Sequence, residues 1–419
     1  MADIETDFCI VGGGPAGLTL ALLLLRSGAR VAVVERSRSL DREFRGDILQ
    51  PGGMRLLADL GVLAAARERG SHEHDGFVLS DRGRVLMDAD YRRLPGPYNC
   101  LLSLPQRHLL EALLDQCAGF DTFTELRGSR VAELVREGAG GGAEARVRGV
   151  VTDGHADGGG HCVLAHCVIG ADGRYSKLRQ LAGIDAGRLD VFDQDVLWFK
   201  LPAGGGELPR TVQLFREGGN PALAYASVPD AIQCGWTLPH GGYRELAAAG
   251  VAGIKERLRA AIPPYAQLID SEIRGLKDLT LLDVFAGCAG SWVADGLVLI
   301  GDAAHTHSPI GAQGINLAIQ DAVGLHPVLL ASLQERDASA TFLGRFAARR
   351  RPDIDRIMKI QRVQSKAMLS AGGAAARLRP VLARVVSHTP IYRKVLDTLA
   401  FGNKRIAVAA DLFTDPAIR

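Results

Sequence analysis

The hydrophobic pattern begins with a short apolar run, Phe8 to Val11, that stops at glycines. Leu18 to Leu25 continues as a leucine-rich helix, Gly28 closes it, and Val31 to Val34 is a second apolar run, which together predict β-α-β. In Leu101 to Ala118 the apolar residues Leu109, Leu110, Leu113 and Leu114 fall on one helical face, with Pro105 near the helix start. Val131 to Val135, Ala145 to Val151 and Cys162 to Ile169 read as short strands. The glycine runs between them, Gly138 to Gly142 and Gly158 to Gly160, precede no helix and are expected in hairpins.

Asp195 to Leu238 holds four runs rich in β-branched and aromatic residues, VLWFKL, TVQLF, ALAYASV and IQCGWTL, which predict an antiparallel sheet. A helical stretch near Tyr243 to Ile262 and a strand at Leu279 to Phe285 lead to a strand that enters a glycine-rich loop, with a helix from Ile315. Amphipathic helices follow, expected to break near Pro352, Gly372, Pro380 and Pro390. One carries an apolar stripe, Ile354, Ile357, Met358 and Gln361, beside basic Arg356, Lys359 and Arg362.

Composition is that of an ordinary globular chain: 419 residues, 47% hydrophobic, 23% charged, long enough for two or three domains. Acidic Asp3, Glu5 and Asp7 stand where a secretory signal needs basic residues, and Leu20 to Leu25 is too short to span a bilayer. Seven cysteines lack metal-ligand spacing and read as reduced, mostly buried thiols, so a soluble cytoplasmic protein with no metal site is expected. Net charge is only +2, but from Phe342 to Arg419 sixteen Lys or Arg face five Asp. Such a tail suits a solvated helical face or, more sharply, peripheral membrane contact; binding of nucleic acid is not expected.

Gly12-Gly13-Gly14-Pro15-Ala16-Gly17 fits GxGxxG between strand and helix, with Glu35 and Arg36 ending the next strand. Gly12 permits the tight turn, Gly14 lets backbone approach a pyrophosphate at the positive helix end, and Gly17 lets helix and strand pack closely. Glu35 is placed to accept hydrogen bonds from an adenosine ribose. This motif alone leaves FAD and NAD both open.

Leu297 to Ala322, LVLIGDAAHTHSPIGAQGINLAIQDA, resembles the second flavin-binding segment of class A flavoprotein monooxygenases, the para-hydroxybenzoate hydroxylase family. The resemblance implies that Asp302, after Gly301, accepts a hydrogen bond from a ribityl hydroxyl. It also implies that the Pro309 to Gly314 loop and the following helix, with Asn316, meet the flavin's pyrimidine edge. Val168 to Arg179 resembles the family's DG fingerprint through Asp172, Gly173, Arg174, Ser176 and Arg179; Arg45 and Gln106, with Arg107 beside it, match flavin-contacting positions. The likeness spans about the first 340 residues and is weakest in the tail.

The fold so implied is α/β. A Rossmann-like FAD-binding domain (1–70, 100–180, 276–345) is joined to a discontinuous substrate domain with a mixed or antiparallel sheet (71–99, 181–275), followed by a C-terminal helical region (346–419). The implied activity is hydroxylation or epoxidation of a small aromatic or quinone-like substrate. NADPH or NADH serves as transient reductant, O2 as oxidant, and a flavin C4a-hydroperoxide as the oxygen donor. Pro309 and Gly311 then offer backbone to the peroxide, and His307 a substrate-side proton donor, whereas His305 reads as structural. Trp198, Gln213, Phe215, Tyr225 and Trp236 are expected to wall the substrate pocket. A halogenase of this fold needs WxWxIP, and Cys234 to Pro239 keeps only the second Trp and the Pro. A flavin-linked reductase and a non-catalytic flavin-binding protein are also compatible with these motifs.

Overall fold

The computed structural model describes residues 2–41, 47–137, 145–153, 160–189, 194–217, 220–369 and 389–414. The expected Arg45, the glycine runs after Glu137 and Asp153 apart from Gly160, and the breaks at Gly372 and Pro380 lie outside these residues.

The first strand, Ala2–Val11, is longer than its apolar run, because its polar half still pairs in register with His161 to Ala165 while Asp3 and Glu5 stay exposed. It lies parallel to Val31–Glu35 on one side and His161–Gly170 on the other. Phe123–Arg127 and Leu297–Leu299 extend the parallel layer outward. Two antiparallel strands, Arg130–Glu137 and Arg146–Asp153, continue from His161–Gly170. The helix Pro15–Arg26 is leucine-rich on every side because it is covered on every side, by the sheet and by Gly314–Glu335 packed across it.

A seven-stranded sheet forms the second layer, in the order Thr280–Leu282, Gln194–Pro202, Ala231–Pro239, Ala222–Ser227, Val212–Arg216, Gly76–Asp81, Arg84–Asp90. All neighbours are antiparallel except Val212–Arg216 beside Gly76–Asp81. Thr280–Leu282, expected within the flavin-binding part of the chain, therefore sits on the edge of this sheet. Alternation splits the sheet's residues between two cores. Leu197, Phe199, Phe215, Cys234 and Trp236 pack under the helices Gly242–Ala248, Gly250–Ala261 and Ala266–Glu272, while Trp198, Val212 and Tyr225 belong to the large core shared with the nucleotide layer.

One helix runs unbroken from Ala340 to Leu369 with Pro352 inside it, contrary to the expected break. It packs along Gly314–Glu335, and that tertiary support offsets the backbone hydrogen bond a proline removes. Ile354, Ile357, Met358 and Gln361 are buried and Arg356, Lys359 and Arg362 exposed, as the stripe requires. Pro390–Phe401 packs on Pro51–Asp59, and Phe413 enters the large core. Gly314–Glu335 is the one helix among the described residues long and apolar enough to cross a membrane, and two-thirds of that stretch is buried inside the protein. All seven cysteines are free; Cys9, Cys117, Cys167 and Cys234 are buried and the other three half-buried.

Candidate active site

Two helix starts converge on the carboxyl edge of the parallel layer. Pro15 opens the first helix behind Gly14, which has no side chain to cap it, so the first N–H groups are left for a ligand. Gly12 turns with φ +112°, and a Cβ there would stand 2.3 Å from the Ala171 carbonyl oxygen; at Gly17 it would stand 1.9 Å from the Gly12 carbonyl oxygen. Ala16 is buried beside Gly301. Glu35 is buried, its Oε2 accepting from Gly13 N at 2.8 Å and its Oε1 from Ser37 N at 2.8 Å. Arg36 beside it is exposed.

The DG segment is held from within. Asp172 is half-buried and accepts from Ser176 Oγ (2.5 Å), Lys177 N (2.7 Å) and Leu178 N (3.1 Å), so its carboxylate caps the next short helix instead of facing a ligand. Burial pushes its carboxyl up from the ordinary range. Arg179 donates to the carbonyls of Ala303 (2.8 Å) and Arg174 (2.8 Å), and Arg174 reaches Asp302 (3.4 Å) and the Asp283 carbonyl (3.0 Å). Asp302 remains half-exposed at the end of its strand, its second oxygen open.

The second helix start follows Ser308 to Gln313. Gly311 (φ +78°) and Ala312 (φ +50°) both take left-handed backbone, which turns the loop into the uncapped helix beginning at Gly314. Asn316 holds the loop rather than reaching out of it: its Nδ2 donates to Ala312 O (2.8 Å) and Ile48 O (3.3 Å), and its Oδ1 accepts from Gln50 N (2.9 Å). Gln50 donates to Gly311 O (3.0 Å) and accepts from Tyr91 OH (3.1 Å). Gln106 is buried and its Oε1 has no partner, an orphan acceptor of the kind a bound cofactor satisfies. Arg107 is exposed and paired with Glu111 and Asp41.

His307 is buried, not presented to a pocket. It is hydrogen-bonded to His305 (3.0 Å) and Gln361 (3.2 Å), and burial with a neighbouring His305 pushes it down to about 3. Of the five expected pocket residues, only Trp198 and Tyr225 face the nucleotide layer. Phe215 and Trp236 lie in the other core, and Gln213 accepts from Tyr265 OH at 2.7 Å on that same far side; a period of two puts neighbours in a strand on opposite faces. The near face gathers buried polar atoms: Trp198 Nε1 and Gln233 Oε1, which have no partner, and the His74 ring, which stands edge-on to Tyr225 at 6.0 Å. Asp47 lies close by, its carboxyl pushed up to about 6 by burial against the pull of Lys200 and the Gln106 N–H. The structure also brings together Asp195, His240 and Asp283, but Asp195 is hydrogen-bonded to His240 at 2.8 Å and Asp283 accepts from Tyr175 OH at 2.8 Å.

Two uncapped helix starts, glycines with no room for a Cβ, carboxylates at Glu35 and Asp302, and the orphan at Gln106 fit a long dinucleotide with an anionic middle. Comparisons agree. The family model described as "FAD binding domain" matches residues 5–361. The 6-methylpretetramide 4-monooxygenase of Streptomyces rimosus is 60% identical over 411 residues, covering 98% of this chain and 96% of that protein. The protoasukamycin 4-monooxygenase of Streptomyces nodosus subsp. asukaensis is 27% identical, covering 86% and 88%. Among solved structures, PqsL of P. aeruginosa in complex with 2-aminobenzoylacetate superposes with a TM-score of 0.76 at 25% identity, covering 90% of this chain and 99% of that one. With the match spanning both layers, the chain belongs to the FAD binding domain family, as an FAD-dependent monooxygenase of the class A aromatic-hydroxylase type.

Proposed function

We propose that the protein hydroxylates 6-methylpretetramide or a closely related aromatic, taking electrons from NADPH or NADH and one oxygen atom from O2. The carrying observation is 60% identity along nearly the whole of both chains. Bound FAD supplies the redox and oxygen chemistry. Gly12, Gly14, Ala16, Gly17 and Glu35 would hold its adenosine half, and Gly301, Asp302, Gln106 and the Gly314 helix start its flavin half; Asn316 and Asp172 serve by fixing backbone. Pro309 and Gly311 would exclude water at the reacting centre. Trp198, Tyr225, Gln233 and His74 form our substrate wall, and Asp47 is the group we assign to take or share a ring hydroxyl's proton.

We read the expected three-part domain division as holding with the edge strand Thr280–Leu282 moved to the substrate layer. The basic residues Arg356, Lys359 and Arg362 are a solvated face of a cytoplasmic protein, because the apolar stripe beside them, Ile354, Ile357 and Met358, is already buried. The test is incubation of the FAD-loaded protein with 6-methylpretetramide, NADPH or NADH, and isotope-labelled O2. One labelled oxygen per product is expected; product without label rejects the reading, as does nucleotide oxidation that this substrate fails to accelerate.

A further inference from the structure

Behind the flavin loop runs a buried chain of hydrogen bonds whose proton count is fixed by its two ends. At one end Gln361 Nε2 donates to the carbonyls of Ser308 (3.1 Å) and Ile310 (2.8 Å), either side of Pro309. Its amide is thereby oriented, and Oε1 faces His307 Nδ1 at 3.2 Å, so that nitrogen must carry hydrogen. At the other end Asp321 Oδ2 stands 2.6 Å from His305 Nε2, which must also carry hydrogen. Between them His305 Nδ1 and His307 Nε2 are 3.0 Å apart and need one hydrogen more. That makes three N–H on two rings, where neutral imidazoles supply one each.

We propose that the His305–His307 pair holds one proton more than two neutral imidazoles, and that this proton, by fixing the amide of Gln361, positions the Ser308–Ile310 segment of the flavin loop. The proton lies toward His305, beside the Asp321 carboxylate, since burial and a charged neighbour both disfavour charge on His307. Among the described residues, every charge that faces the pair has a partner. Asp321 Oδ1 accepts from Arg350 Nε (2.6 Å), Arg350 Nη1 reaches Asp353 (3.2 Å), and the Trp292 ring lies against His305 with Arg351, itself donating to the Ala289 carbonyl, over the indole. The Asp321 and Asp353 carboxylates balance the Arg350 guanidinium and one imidazolium, while the Arg351 guanidinium stands one ring away over the indole. Without the extra proton, either His307 Nδ1 is bare against the Gln361 oxygen, which loosens the clamp on both carbonyls, or His305 Nδ1 and His307 Nε2 meet lone pair to lone pair. Gln361 is thus a positioning residue on the C-terminal helix, whatever the substrate.

The test uses the FAD-loaded full chain labelled with 15N in histidine, with these rings assigned from His305→Gln and His307→Gln. Three N–H among the four ring nitrogens are expected at neutral pH; two N–H would overturn the proposal. Two variants separate the proton from simple packing. Gln361→Leu removes the acceptor, so the pair should fall to two N–H, and peptides covering Ser308 to Gly314 should exchange amide hydrogen at least several-fold faster. Gln361→Glu keeps an acceptor but removes both donors, so three N–H should persist while the loop exchanges faster. Loop exchange unchanged in both variants, or a proton count that ignores Leu, rejects the positioning role.

Discussion

At Gly311 backbone geometry sets the cost of change more than space does. A Cβ there would meet only Gln313 and Gln364 at 3.9 Å, ordinary contacts, yet φ is +78°. Gly311→Val should therefore strain the loop by more than about 1 kcal/mol. With the loop displaced, the share of reducing equivalents released as H2O2 should rise several-fold, measured as H2O2 formed per NAD(P)H consumed; an unchanged share would count against the loop's part in coupling. Asp47 is tested by pH. Its buried carboxyl, pushed up to about 6, ionises as pH rises through that value, so a base in this position gives kcat an acid limb near pH 6. Asp47→Asn should lower kcat about 100-fold and abolish that limb; a limb that survives in the variant assigns the proton elsewhere.

Between the helices Gly314–Glu335 and Ala340–Leu369, the join is ionic at its centre and apolar around it. Burial pushes the Asp321 carboxyl up, but His305 and Arg350 more than offset this and hold it well below the usual carboxylate range. Removing Arg350 leaves that carboxylate buried and half-compensated. Arg350→Met should cost about 3–5 kcal/mol, read as a loss of Tm in the FAD-loaded protein. A loss below about 1 kcal/mol would show the pair to be replaceable by apolar packing. The same join explains the unbroken helix at Pro352: sequence-level rules treat proline as a stop because they see one helix, whereas here a second one supports it.

For the molecule as a whole, buried neutral histidines set the acid side of stability. His74 and His326 are pushed down to about 4 and His307 to about 3, in each case chiefly by burial. The unfolded chain takes protons on these groups at about pH 6.5, and the folded chain does not. Their contribution is thus full above pH 6.5 and declines as pH falls, by up to about 1.4 kcal/mol per pH unit per group. Asp47, pushed up, works in the opposite sense below about pH 6 but is outnumbered. Tm should fall from pH 7 to pH 5; a flat profile would mean that these rings take up protons in the folded state.

Local spacing was enough to place the dinucleotide motif, because a strand, a glycine turn with Gly12 at positive φ and a leucine helix are all contiguous in the chain. The same holds for the order of segments and the buried stripe from Ile354 to Gln361, since helical and strand periods are local properties. Which face of the second sheet looks toward the flavin layer was not legible: alternation separates Trp198 and Tyr225 from Phe215 and Trp236, but only the packed helices decide which set they cover. Nor could spacing show that Asp172 and Asn316 spend their side chains on backbone, since a turn that needs a cap and a ligand that needs a carboxylate call for the same residue types. The tertiary structure alone brought Asp321, Arg350 and Gln361 onto His305 and His307, because hydrogen bonds between distant segments leave no periodic trace in a sequence.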